Sequence, residues 1–95
     1  MNSPDARSEL EAMPKCVPGL EIRPAGGEQL VHDPVTGRIH VLNAMAGRVL
    51  TRCDGTTTLA QIVAEIVAST SAEAARVERD IVSVCADFRE KGLIS

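Results

Sequence analysis

Aromatic side chains are almost missing from this chain of 95 residues, which has no tryptophan, no tyrosine and a single phenylalanine, Phe88. That removes the stacking platform on which single-stranded nucleic acids are held. It also leaves Val, Ile, Leu and Ala to fill the core. Concentrated positive charge is missing as well. The ten Lys and Arg residues are scattered from Arg7 to Lys91, and the net charge is -3 with a pI near 5.3. Duplex binding needs a basic surface dense enough to release counterions, so nucleic acid is not an expected partner. There is no CxxC pair: Cys16, Cys53 and Cys85 are odd in number and widely spaced, and no secretory apolar stretch occupies the first 30 residues. The expectation is a reduced, cytoplasmic protein. No apolar run approaches the roughly 20 residues that a bilayer requires, so no membrane span is expected.

The length allows one domain with one core. Residues 1–17 mix charge with two prolines and hold no sustained period, and are expected to form a mobile tail before a domain over 18–95. From Leu20 the pattern alternates apolar and polar as far as Pro24, predicting a short strand that ends there and a loop over Ala25-Gly26-Gly27. Two β-rich runs, Gln29 to His32 and Arg38 to Leu42, flank Asp33-Pro34-Val35-Thr36-Gly37. Proline presets the first turn position, Asp33 can accept from the turn backbone, and Gly37 can turn left-handed, so this is a hairpin. Pairing Asp33 with Arg38 puts Leu30, His32, Ile39 and Val41 on one face and Val31, His40 and Leu42 on the other. Both faces carry apolar residues, so periodicity does not say which one packs inward.

Past Leu42 the period becomes helical. Asn43 is a good N-cap for a helix whose stripe is Ala46, Val49, Leu50 and Cys53. Asp54-Gly55 then turns a corner, with Gly55 as the left-handed stop. Thr58 and Gln61 form a capping box for a second helix with Leu59, Ile62, Val63, Ile66 and Val67 inward. A last helix begins near Thr70 or Ser71, carries Ala74, Val77, Ile81, Val84, Cys85 and Phe88, and ends at Gly92. On it Arg76, Arg79 and Arg89 alternate with Glu73, Glu78, Asp80, Asp87 and Glu90, the pattern of a solvated, salt-bridged face.

Catalytic and metal chemistry are not legible. His32 and His40 point to opposite faces of the hairpin, whereas a metal needs three or four converging donors. Cys53 and Cys85 lie on apolar stripes as small hydrophobes, and no Cys-His pair is in view. No enzyme activity, cofactor or metal is expected.

The sequence of elements, with His32-Asp33-Pro34 through Gly37, Leu42-Asn43 with Ala46, Asp54-Gly55 followed by Thr58 and Ile62, Val77 with Asp80-Ile81, and Gly92-Leu93, resembles the PqqD family over about residues 18 to 95. The resemblance implies an α+β, winged-helix-like fold, a three-stranded antiparallel sheet followed by three helices. It also implies a peptide chaperone that binds the leader region of a ribosomally made precursor peptide and presents it to a modifying enzyme, often a radical S-adenosylmethionine enzyme. The peptide would pair with the third strand alongside the last helix, which assigns Arg38, Ile39, His40 and Val41 to the pairing edge. Asp80, Val84 and Asp87 would then form a wall and charged rim suited to a basic peptide residue. An unpaired sheet edge supplies such a docking mode on physical grounds. Two rivals stand beside it. A winged-helix DNA-binding regulator shares the topology, but Leu59 to Ser69 carries no Lys or Arg. A homodimeric structural subunit would use the same open edge for self-pairing.

Overall fold

The computed structural model describes residues 6–95. Three antiparallel strands in the order β1-β2-β3 form the sheet: β1 Glu21–Ala25, β2 Glu28–Asp33 and β3 Arg38–Asn43. Among the described residues four helices accompany it: α1 Ala6–Glu11, α2 Ala44–Thr51, α3 Leu59–Ala68 and α4 Ala74–Glu90. The α+β class and the strand, strand, strand, helix, helix, helix order match the sequence-based expectation, with α1 added in front.

The hairpin register is Asp33 to Arg38, His32 to Ile39, Val31 to His40 and Leu30 to Val41, as the turn chemistry predicts. Asp33 is buried yet satisfied, because its Oδ1 accepts from the Val35 N–H at 3.0 Å while its carbonyl accepts from the Gly37 N–H at 2.8 Å. Gly37 turns at φ 76°, which a side chain would oppose. The face that packs inward is Val31 and Leu42. They join Val49, Leu50, Leu59, Ile62, Ile81, Phe88 and Leu93 in one largely aliphatic core with Phe88 as its only aromatic ring.

Helix starts follow the caps. The Asn43 side chain accepts from the Ala46 N–H at 2.8 Å, and the Thr58–Gln61 box is closed in both directions at 2.8 and 3.1 Å. Four local expectations are corrected. β1 runs through Pro24 to Ala25, because a proline is tolerated on an edge strand where its nitrogen owes no ladder bond. α4 starts at Ala74, since the Thr70 hydroxyl accepts from the Ala72 N–H and closes a turn there, and Ala74 is exposed. Gly55, at φ 81°, bends the α2–α3 corner three residues beyond the α2 cap at Arg52 and so is not the stop itself. Finally, Lys91–Asp87 at 2.9 Å is the one ion pair of α4 among the described residues, so Arg76, Arg79 and Arg89 make no salt bridge with any of them.

The expected tail is docked over its described part. Leu10 packs against the core and Pro14 is buried. Ala12 C=O accepts from the Leu59 N–H, one of the free donors in the first turn of α3, and Pro14 C=O accepts from the Gly55 N–H. Cys16 and Val17 donate to Cys53 and Leu93, and Ser95 donates to Lys15. The segment is held because the corner and the C-terminus leave backbone groups for it to pair. Residues 1–5 of the predicted tail lie outside the described residues.

Candidate functional site

The sheet has two edges, and they differ chemically. β1 contains Pro24, which has no N–H to offer, whereas all six residues of β3 carry a donor and an acceptor. Alternate residues of an antiparallel strand direct both groups away from the neighbour. The outer edge of β3 is therefore a row of free hydrogen-bonding groups, the more complete of the two.

On the outer face of the sheet, Ile39 and Val41 are 65% and 56% exposed and Leu30 is 37% exposed. These three make an apolar band bordered by Glu21, Arg23 and His32, where His32 Nδ1 lies 3.1 Å from Glu21 Oε1. Arg38 is also exposed, and His40 is half-buried on the inward face with its Nε2 enclosed and without a hydrogen-bond partner among the described residues, as is the Oε1 of Gln29.

At the end of β3 a groove opens between the start of α2 and the start of α4. Ala44 stands at its mouth, and Met45, Ile66 and Val77 line it with apolar surface. Arg48, Arg76 and Asp80 supply its charged groups. Both arginines are exposed and neither makes an ion pair with a described residue.

Of the residues expected from the sequence, Arg38, Ile39, His40 and Val41 form the β3 edge strand, and Asp80 lines the groove. Val84 lies about one turn beyond Asp80 and is half-buried against the core. Asp87 is exposed and held by Lys91. Neither lines the groove. Met45, Arg48 and Arg76 were not anticipated. The Asn43 cap sets Met45 and Arg48 one turn apart on α2, but the packing of α2 beside α4 leaves no trace in either helix's own period.

Cys53 and Cys85 are buried next to each other, and Cys16 is half-buried. The neighbouring Cys85 thiol, together with burial, pushes the Cys53 thiol well above its ordinary range, while Cys53 Sγ donates to the Val49 carbonyl at 3.1 Å; burial raises Cys16, whose Sγ lies 3.2 Å from the Leu50 carbonyl. All three cysteines are free. A raised pKa removes thiolate, the nucleophilic form, from Cys53 and Cys16, while Cys85 is lowered by its Cys53 neighbour but is itself buried.

The family model of coenzyme PQQ synthesis protein D (PqqD) matches residues 28–94, the whole of the sheet from β2 onward and the three helices behind it. The chain belongs to the PqqD family. No curated protein matches the sequence. Among solved structures, this PqqD-family chain is similar to TbiB1 in complex with the TbiA(beta) leader peptide, at TM-score 0.74 and 22% identity over 85% of this chain and 94% of that one. It is likewise similar to lasso peptide synthetase B1 complexed with the leader peptide, at TM-score 0.75 and 19% identity over 88% of this chain and 99% of that one. At these identities the likeness is one of fold.

Proposed function

We propose that this PqqD-family protein binds the leader region of a ribosomally synthesised precursor peptide as a fourth strand on β3 and presents it to a modifying enzyme. The observation that carries the reading is the open, proline-free β3 edge, with the apolar band of Ile39 and Val41 on one side and a groove at its end. Both fold neighbours were solved with leader peptides, which supports the same class of ligand here.

The energetics require both parts. Four new backbone hydrogen bonds at about 0.5 to 1.5 kcal/mol each yield only a few kcal/mol. Ordering a flexible peptide consumes much of that, so apolar contacts at the band and the groove must add affinity. The protein acts as a carrier and not as a catalyst, with Cys53 and Cys85 buried as packing. We place the enzyme partner in the radical S-adenosylmethionine class on the family resemblance. The protein's free cysteines suit the reducing cytoplasm.

Titration of the isotope-labelled protein with the leader segment encoded beside its gene tests the reading. Amide shifts confined to residues 38–45 and the start of α4, with saturation at tens of micromolar or below, are expected. Absence of binding in that range, or shifts elsewhere with β3 silent, overturns strand addition. Peptide-independent dimerisation in a sedimentation series would favour edge-to-edge self-pairing instead.

A further inference from the structure

We propose that the groove between α2 and α4 is a specificity subsite that takes an apolar side chain of the bound peptide flanked by an acidic one. This rests on the reading that a peptide pairs with β3, and it adds which residues that peptide must carry.

The position follows from chain continuity. Ala44, at the mouth of the groove, directly follows Asn43, the last residue of β3. An added strand advances about 3.3 Å per residue, so one or two residues past the paired stretch bring a side chain to the groove. Its apolar lining selects the first partner. Ile66 and Val77 are buried, and Met45 is half-buried with an unbranched side chain that can refit around an incoming group. Ala44 and Ala72 keep the walls small.

The charges select the second. Two guanidinium groups, Arg48 and Arg76, flank the groove against one carboxylate, Asp80, and neither arginine is engaged in an ion pair with any described residue. The rim is therefore locally cationic on a chain whose net charge is -3. At physiological salt, screening over about 8 Å makes the rim and not the overall charge decide what sits there. A guanidinium presents a planar fork that matches a carboxylate. A basic peptide residue, which a rim of Asp80 and Asp87 would suit, is disfavoured because Asp87 is paired with Lys91 and lies outside the groove.

The test uses the full chain and the synthetic leader segment encoded beside its gene, together with peptide variants in which each Asp or Glu is changed to its amide. Arg48→Gln and Arg76→Gln are each expected to weaken the parent peptide by about five- to ten-fold. One acid-to-amide change in the peptide should weaken binding similarly, and the combined protein and peptide changes should cost no more than either alone. Arg48→Glu should restore preference for a peptide with Lys at that acidic position. Because both arginines are exposed, the variants should keep the native amide spectrum, which is recorded alongside. Shifts at β3 with affinity indifferent to both arginines, or arginine effects that couple to no acidic peptide residue, overturn the subsite while leaving strand addition intact. Loss of β3 shifts with the parent peptide overturns the underlying reading, and the subsite with it.

Discussion

Gly47, in the middle of α2, lies directly against the side chain of Gln29 on β2: a Cβ built on the glycine would stand 2.6 Å from Gln29 Cδ and 2.8 Å from its Oε1. The central strand β2 and helix α2 thus approach closely where one residue has no side chain. A glycine inside a helix costs roughly 1 kcal/mol relative to alanine, so close approach has been kept at the expense of helix propensity.

Gly47→Ala is expected to gain that propensity and lose a comparable amount by displacing Gln29, leaving stability within about 1 kcal/mol of the parent. Gln29→Ala removes the obstruction. The double variant should be more stable than the sum of the single changes by about 0.5 kcal/mol or more, read from urea melts as a double-mutant cycle. Additive behaviour would show that the two side chains do not contend for the same space.

Val31 and Ile39 come from one hairpin and have similar side chains, yet they should respond oppositely. Val31 is fully buried, so Val31→Ala is expected to cost about 2 kcal/mol through lost burial and a cavity. Ile39 faces outward, so Ile39→Thr should change stability by no more than about 0.5 kcal/mol. The same Ile39 change should weaken the leader peptide if the outer band contributes to binding. Denaturant midpoints and peptide titration of both variants measure the two effects separately.

Removal of residues 1–17 is expected to lower stability by about 2 to 4 kcal/mol, because five backbone hydrogen bonds tie Ala12, Pro14, Lys15, Cys16 and Val17 to the rest of the domain and Leu10 and Pro14 pack against it. A tail with no such bonds would leave the melt unchanged. Thermal denaturation of the full and shortened chains distinguishes the two.

Acid stability should depend on Asp54. The backbone N–H of Thr56, together with the Thr56 and Thr57 hydroxyls and the Thr57 N–H, holds its carboxyl at about 2, below the usual 3.8. A depressed carboxyl contributes stability that is present above its unfolded pKa and lost as pH falls through its folded one. The parent should be more stable than Asp54→Asn at neutral pH, with the gap closing between about pH 4 and 2. Melts at several pH values follow the difference.

The local chemistry of this chain was legible from residue order. Asp33, Pro34 and Gly37 set the hairpin and its register, because turn geometry and the two-residue side-chain period leave a single pairing. Asn43 and Thr58 set two helix starts, because a side-chain oxygen at those positions meets the free donors of the first turn. What needed three dimensions was every choice between surfaces that were equally apolar or equally charged. Val31 and Leu42 went inward and Ile39 and Val41 outward because the helices cover one side of the sheet only, a fact that alternation cannot carry. Residues 6–17 became part of the fold because the corner at Gly55 and the C-terminal Leu93 and Ser95 presented backbone groups distant in sequence. Arg48 and Arg76, from separate helices, became one rim by the packing of α2 beside α4. Short-range hydrogen bonds are written in neighbouring residues, whereas burial and shared charge depend on which element lies across the gap.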